Sequence, residues 1–219
     1  NMSYTQEQLD NFVQKIYQYA GQNKFPALEK PRKFSWLDPE RILEACLTQV
    51  LKGKEEQLQW LPEYDQVARW LSDTQGKGLV LYGDPGRGKT LLAKYVLAPL
   101  FLFRVAQLLA QKERKDVQAR DLVKVQNACD LTPEDLSHMI RVHRVVILDD
   151  VGTEELSARN SSRPMFSELV SHMANTNRVL IATTSLSPEE LLSRYGARTL
   201  DLLMSITCRI KFEGDNLRK

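Results

Sequence analysis

The stretch that decides the fold reads Gly83-Asp84-Pro85-Gly86-Arg87-Gly88-Lys89-Thr90, and it fits the pattern G-x-x-x-x-G-K-[ST]. An apolar, β-prone run at 78–82 precedes it, and a run typical of a helix follows it at 91–96. In this strand–loop–helix order the glycines let backbone N–H groups turn toward phosphates, and the helix N-terminus adds a positive dipole end. The stretch therefore predicts a loop that binds the phosphates of a nucleoside triphosphate. A merely structural glycine-rich turn would require neither flanking element.

Two side chains of this loop have predictable roles. Lys89 is expected to reach the β- and γ-phosphates, and the Thr90 hydroxyl is expected to ligate Mg²⁺. The residues that we expect to bind the nucleotide are Gly83, Asp84, Pro85, Gly86, Arg87, Gly88, Lys89, Thr90 and Leu91.

The second informative element is an apolar run, 144–148, that ends in two adjacent carboxylates, Asp149 and Asp150. Such a run is typical of a strand buried on both faces of a parallel sheet. Because ligands collect at the carboxyl ends of strands in open α/β sheets, we expect both carboxylates beside the phosphate loop. Asp149 is then the candidate metal residue, acting on Mg²⁺ through a water. Asp150 is the candidate catalytic residue that orients or deprotonates the attacking water.

Taken alone, this acidic element has a simpler interpretation. Asp is a favoured turn residue, and a strand-to-turn junction would account for both carboxylates without any chemistry. Its position after a phosphate loop is what favours hydrolysis.

Composition and cysteine spacing argue against several other classes of protein. A net charge of +2 over 219 residues gives no global basic signal for nucleic acid. The three cysteines are far apart, with no Cys-x-x-Cys pair, which predicts neither a zinc site nor a disulfide framework and fits the cytoplasm. The most apolar stretch, 95–110, contains Pro99 and Arg104 and is too short for a membrane span. No signal peptide precedes the first predicted helix.

Residues 1–60 predict a small helical appendage. A capping box, Thr5 with Gln8, opens a first helix, and Pro39 marks the start of a second. A small amphipathic module of this kind is suited to docking a partner protein, and the alternative is that it only packs on the core. The predicted division is a partner-docking region at 1–60 and a nucleotide-binding core at 61–219.

Strand and helix patterns alternate through the rest of the chain, which predicts a doubly wound parallel sheet. After the helix that follows the phosphate loop, Lys112, Arg114 and Lys115 belong to a locally basic segment. This segment is a candidate contact for single-stranded DNA, although a charged run is more often a solvated face.

The motifs together resemble the AAA+ ATPases, specifically the clade of the bacterial replicative-helicase loaders DnaC and DnaI and the transposition helper IstB. The stretches that carry the resemblance are 83–90, Ile-Leu-Asp-Asp-Val-Gly-Thr-Glu at 147–154, Ala-Thr-Thr-Ser-Leu-Ser-Pro-Glu-Glu-Leu at 182–191 and Phe-Glu-Gly-Asp-Asn-Leu-Arg at 212–218. The resemblance implies an α/β fold: a P-loop AAA+ core whose parallel sheet is sandwiched by helices, with no C-terminal lid domain. It also implies ATP and Mg²⁺ as cofactors, ATPase activity and a nucleotide-dependent homo-oligomer.

The same resemblance assigns roles to further residues. Ser185 falls where the clade usually has a γ-phosphate-sensing Asn. The Asp-Arg pair that normally supplies the arginine finger is replaced by Asp201 and Leu202. Arg198 is therefore the first candidate for the finger and Arg194 the second. Arg218 matches the arginine of the closing Gly-x-x-x-Arg pattern and is expected to reach the nucleotide.

Two functions remain open at this stage. One is an ATP-hydrolysing DNA replication protein that loads or remodels a replicative helicase on single-stranded DNA. The other is a nucleotide-gated adaptor with little hydrolysis, such as a partner of a transposase. The intact set of Lys89, Thr90, Asp149 and Asp150 favours the first, and the missing Asp-Arg pair favours the second.

Overall fold

The computed structural model describes residues 5–22, 32–53, 58–155 and 163–217. Two compact units are present, Asn1–Lys30 and Pro31–Lys219. The first unit contains helix α1 (Gln6–Gln22), which has no buried residue. The predicted capping box is confirmed, because the Thr5 amide donates to the Gln8 side chain at 3.0 Å and the Gln8 amide donates to the Thr5 hydroxyl at 3.3 Å.

The second unit is an α/β fold built on one parallel sheet in the order β2-β3-β4-β1-β5. Its strands are β1 (Gly78–Gly83), β2 (Val123–Asn127), β3 (Val145–Val151), β4 (Val179–Thr184) and β5 (Thr207–Phe212). Its helices are α2 (Pro39–Leu51), α3 (Pro62–Ser72), α4 (Ala98–Gln111), α5 (Pro133–Val142), α6 (Met165–Thr176), α7 (Pro188–Tyr195) and α8 (Ala197–Ile206). The predicted parallel sheet is confirmed. Because β4 lies between β1 and β3, it separates the strand of the phosphate loop from the strand of the acidic element.

The sheet is covered on both faces, as predicted. Side chains alternate across β1, so that Leu79 and Leu81 join a core with α2, α3 and α4, while Val80 joins a core with α5 to α8. Buried aromatic side chains fill both layers, with Phe101 on the first side and Phe166 on the second. Apolar burial on both faces is what the uninterrupted Val, Ile and Leu runs of the strands indicate.

The compact core begins earlier than the boundary predicted at residue 61. Leu43 and Leu47, one helical turn apart on α2, are fully buried among core residues. The preceding segment is also fixed to α3 and the turn after it, because the Phe34 amide donates to the Thr74 hydroxyl at 2.9 Å and the Trp36 amide to the Leu71 carbonyl at 3.0 Å. For α2, packing on the core is therefore the alternative that the structure supports.

The helix after the phosphate loop changes its winding along its length. It begins with π-helical turns at Leu91–Leu97 and continues as α4. Pro99 has no N–H for the carbonyl one turn earlier, and the widened turns lie immediately before it. At 21 residues, Leu91–Gln111 is longer than the apolar stretch predicted from the sequence, and among the described helices it alone has the length and composition to cross a bilayer. One face of it, including Phe101, is part of the core.

Candidate nucleotide-binding site

The phosphate loop leaves the carboxyl end of β1 with its lysine folded back over it. The Lys89 ammonium donates to the carbonyls of Gly83 at 2.8 Å and Asp84 at 2.7 Å, and the side chain is buried. Gly86 and Gly88 have φ angles of 76° and 85°, which only glycine adopts at low cost. The predicted order of strand, loop and helix is present, and Lys89 lies at the loop where the sequence places it.

The buried carboxylate of Asp149 connects the acidic strand to the loop. Its Oδ1 accepts the Thr90 hydroxyl at 3.0 Å and the Thr183 hydroxyl at 2.6 Å, and its Oδ2 lies 3.9 Å from the Lys94 ammonium. The sequence predicted that Asp149 would lie beside the phosphate loop that contains Thr90, but it did not predict the roles of Thr183 and Lys94. The sequence feature that could have identified Thr183 is its hydroxyl, because the β4 run before it is apolar.

The neighbouring carboxylate, Asp150, has the opposite environment. It is exposed, whereas Asp149 is only 2% exposed. Its backbone is left-handed, with a φ of 55°, and its amide donates to the Thr183 hydroxyl at 2.9 Å. The Thr153 hydroxyl donates to the Asp150 carbonyl at 2.7 Å. Asp149 is thus buried, whereas the adjacent Asp150 is accessible to solvent.

The donor set around Asp149 fits Mg²⁺. A carboxylate and a hydroxyl are hard oxygen ligands, and Mg²⁺ is usually held by one or two protein groups together with phosphates and waters. The Thr90 hydroxyl that donates its proton to Asp149 keeps its lone pairs for a cation. Within the described ranges no group of three or more His, Cys, Asp or Glu side chains forms a metal cage.

Arg87 forms hydrogen bonds with other residues of the chain. Its guanidinium donates to Glu63 at 3.2 Å and to the Asp215 carbonyl at 3.3 Å, and the residue is buried. Glu63 lies in the first turn of α3 and also accepts the Glu213 amide at 3.1 Å. Sequence patterns did not reveal this pair, because α3 and the loop are linked only by the fold.

The segment 213–217, here called the C-terminal strap, lies on the outside of the loop. The Leu217 amide donates to the Gly86 carbonyl at 3.0 Å, and the Gly214 amide donates to the Asp84 carboxylate at 2.9 Å. A Cβ at Gly86 would lie 1.9 Å from the Asn216 side chain, so the contact requires glycine. Arg218, which was predicted to reach the nucleotide, lies outside the described residues.

The other predicted residues lie after β4 and on the last two helices. Ser185 follows β4 directly and is exposed, while Thr184 is buried and donates to the Val151 carbonyl at 2.6 Å. Arg198 is exposed on the first turn of α8. Arg194 has partners in its own chain, the Glu154 carbonyl and the Tyr195 hydroxyl.

Glu154 is the centre of a buried cluster that the sequence did not predict. It accepts the Tyr195 hydroxyl and, at 2.8 Å, the Gly152 amide. Burial and the hydrogen bond to Glu154 raise the pKa of Tyr195. The cluster anchors the loop after the acidic strand to α7.

The basic segment after α4 is exposed at Lys112, Arg114 and Lys115. Arg114 forms a bidentate pair with Asp116, at 2.7 Å for each bond. The segment leads through a short 3₁₀ turn, Ala119–Asp121, into β2.

Several solved structures are similar to this chain at low sequence identity. The DnaC helicase loader is 20% identical over 79% of this chain and 99% of that chain, with a TM-score of 0.48. DnaI is 19% identical over 84% of this chain and 96% of that chain, also with a TM-score of 0.48. AMPPCP-bound DnaA from Aquifex aeolicus is 15% identical over 84% of this chain and 49% of that chain, with a TM-score of 0.43.

The predicted resemblance to the DnaC and DnaI loaders is confirmed, since both are among the similar structures. No curated protein matches the sequence. A protein-family model, described as Nephrocystin 3, N-terminal, matches residues 56–184, which include the phosphate loop, the acidic strand and β4. Since this match covers more than half of its 219 residues, the chain belongs to the Nephrocystin 3, N-terminal family.

Proposed function

We propose that the chain binds ATP with Mg²⁺ and hydrolyses it. The observation that carries the proposal is the meeting of the Thr90 hydroxyl and the Asp149 carboxylate at 3.0 Å, next to a loop that already holds the Lys89 ammonium. These are the three groups that a P-loop enzyme uses for the metal and for the β- and γ-phosphates. Lys89 and Thr90 are adjacent in the loop, whereas Asp149 is 59 residues after Thr90 and is brought to them by the fold.

Different residues of the chain have different roles in ATP binding and hydrolysis. Lys89 exchanges its two carbonyl partners for phosphate oxygens, and the loop amides bind the rest of the phosphate chain. Thr90 and Asp149 hold Mg²⁺, which neutralises charge on the phosphates when it is bound. Asp150, exposed at the end of β3, orients the attacking water, and Ser185 contacts the γ-phosphate from the end of β4.

Two variants test this proposal. Lys89→Ala should lose tight ATP binding in calorimetry, because the cation for the β- and γ-phosphates is gone. Asp150→Asn should keep ATP binding and lose hydrolysis, since the water is positioned only for the chemical step. Lys52→Ala, an exposed lysine after α2, is the matched control and should behave as wild type. Unchanged affinity in Lys89→Ala would refute the site.

The biological role that we propose is in DNA replication, as a factor that loads or remodels a replicative helicase on single-stranded DNA. The support is the motif resemblance together with an exposed basic segment at Lys112, Arg114 and Lys115. Neutralising these three side chains should weaken DNA binding and flatten its salt dependence. Each lost phosphate contact removes about 0.7 from the slope for single strands.

The matched control for that triple variant neutralises three other exposed basic residues, Arg32, Lys33 and Lys52. It should leave both affinity and slope unchanged. Wild-type binding by the first triple variant would assign the basic segment to a solvated face and remove the DNA contact from the proposal.

Partner docking is proposed for residues 1–60, and α1 carries it. Leu9, Val13 and Ile16 recur at helical spacing and are exposed on that helix. A replicative helicase or, in the second function, a transposase would supply the apolar groove for this face. A cytoplasmic location fits the three cysteines, all of which are free thiols.

A second candidate is a nucleotide-gated adaptor with little hydrolysis, and the engagement of Arg194 within its own chain favours it. Arg194 is held by Glu154 and Tyr195, so one of the two candidates for an arginine finger is not free to act on a neighbouring subunit. Hydrolysis by an oligomer then depends on Arg198, which is exposed. A trans-acting arginine is worth about 10³–10⁵ in rate.

The two candidates predict different kinetics. For the hydrolysing oligomer, activity per molecule rises with protein concentration, and a mixture of Arg198→Ala with Lys89→Ala protein recovers activity at shared interfaces. If activity is independent of concentration and the mixture stays inactive, the adaptor is the better description.

A further inference from the structure

Strands β3 and β4 do not pair continuously at the acidic element. Leu148 pairs with Ala182, and the ladder resumes with Val151 opposite Thr184. Between these pairs, Asp149 and Asp150 on β3 face a single residue of β4. Two residues opposite one define a β-bulge, a feature that re-aims side chains next to active sites.

The bulge changes where the second carboxylate points. Val146 and Leu148 belong to the core formed with α5 to α8, and strict alternation would turn Asp150 to the same side. Instead, Val151 occupies that place and is buried in the same core. A carboxylate there would be desolvated at high cost. The inserted residue therefore leaves Asp150 exposed at the end of the strand.

Thr183, the single residue opposite the bulge, bonds to both acids with one hydroxyl. It donates to Asp149 Oδ1 at 2.6 Å and accepts the Asp150 amide at 2.9 Å. Its side chain is completely buried. A hydroxyl has one proton to donate and two lone pairs, so both bonds form simultaneously. The hydroxyl thus substitutes for ladder hydrogen bonds that the bulge interrupts.

We propose that Thr183 is a positioning residue that separates the roles of the two adjacent carboxylates. It aims Asp149 at Thr90 and holds the left-handed backbone that presents Asp150 to solvent. The proposal rests on the proposed ATPase function, and it adds a residue that neither the loop motif nor the acidic motif contains. Thr183 touches neither phosphate nor water in this role.

The proposal predicts a separation of binding from chemistry. Lys89 and the loop amides do not depend on the Thr183 hydroxyl, so Thr183→Val should leave KM for ATP and nucleotide affinity within about threefold of wild type. Loss of an outer partner of a metal-site carboxylate costs about 10–100-fold in activity or metal affinity. We expect kcat to fall, and the Mg²⁺ concentration for half-maximal rate to rise, within that range.

A second readout does not require ATP. In the nucleotide-free protein the Asp150 amide has Thr183 as its acceptor, so its hydrogen exchange should accelerate in Thr183→Val. Thr183→Ser retains the hydroxyl and should restore both the rate and the slow exchange to within a few fold. If Thr183→Val does not fold, Thr183→Ala compared with Thr183→Ser gives the same contrast. The matched control is Thr199→Val, which removes a hydroxyl that donates to Ser167 at 2.9 Å on α6, outside the site.

The outcomes are distinct. An unchanged kcat in Thr183→Val, an equal loss in Thr183→Ser, or an equal loss in Thr199→Val would each overturn the proposal. If wild-type protein neither binds nor hydrolyses ATP, the proposed function fails instead. Positioning by Thr183 is then decided by the exchange of the Asp150 amide alone.

Discussion

The buried pair of Glu63 and Arg87 gives a quantitative prediction about how the phosphate loop is stabilised. The two side chains are 8% and 10% exposed and lie 3.2 Å apart. Among the described residues, Glu63 Oε2 and Arg87 Nε have no hydrogen-bond partner, so the pair is only partly satisfied. Such a pair adds little net stability compared with apolar side chains, but removing one member leaves the other charge buried.

The expected loss of unfolding free energy depends on which charged or polar group remains buried in each variant. Arg87→Met leaves the Glu63 carboxylate with the Glu213 amide as its remaining donor, which should cost about 3–5 kcal/mol of unfolding free energy. Glu63→Gln keeps an acceptor for Arg87 and Glu213, so the expected cost is smaller, about 1–3 kcal/mol. The double variant buries no charge, and its loss should be about 2 kcal/mol less than the sum of the single losses.

Urea denaturation without nucleotide measures these values, with the midpoint and the m-value determined together. Arg114→Met is the matched control. Its pair with Asp116 is shorter, at 2.7 Å, but both side chains are more than half exposed, and we expect no measurable change. Additivity of the single losses to within about 0.5 kcal/mol would refute the coupling. A loss in Arg114→Met equal to that in Arg87→Met would show that burial is not the cause.

Two further predictions concern the end of β1 and the response to pH. Gly83 has a φ of 112°, and a Cβ there would lie 2.3 Å from the Phe212 carbonyl, so Gly83→Ala should cost about 2–4 kcal/mol in urea denaturation. Gly21→Ala, with open space around it, should cost nothing, and equal losses would contradict the reasoning. Burial, with His138 as a lesser cause, lowers the pKa of His143 below its usual 6.5, so protonation favours the unfolded chain. The unfolding free energy should be constant above pH 6.5 and fall below pH 6.5. The fall should be shallower in His143→Gln. Identical pH profiles for the two proteins would show that His143 does not cause the fall.

The sequence predicted the parts of the fold that have strong local signals. The order of strand, loop and helix at 78–97, the buried strands and the position of Asp149 at the end of a strand all follow from motifs and patterns that are local in the sequence. The sequence left open whether α2 docks a partner or packs on the core, because its apolar face, including Leu43, has a spacing that suits both, and the structure shows the packing.

Other parts of the site have no local signal. The bond of Thr183 to Asp149 depends on β4 lying beside β3, and the pair of Glu63 with Arg87 depends on where α3 begins against the loop. In both cases the partners are determined by three-dimensional packing between segments that are distant in the chain. A hydroxyl within an apolar strand or a glutamate in the first turn of a helix also occurs in many strands and helices without such a role.

The C-terminal strap has a consequence for how the protein is synthesised. Arg87 and its acceptor at Asp215 are 128 residues apart, and β1 pairs on one side with the last strand, β5. At about 5–20 residues per second, translation needs roughly 6–26 s to cover that interval. During this time β1 has neither β5 nor the strap, so its edge is unpaired and the phosphate loop lacks its outer support. The nascent chain therefore completes the contacts around the phosphate loop only after residue 217 has been translated, and until β5 has been made one edge of β1 stays open.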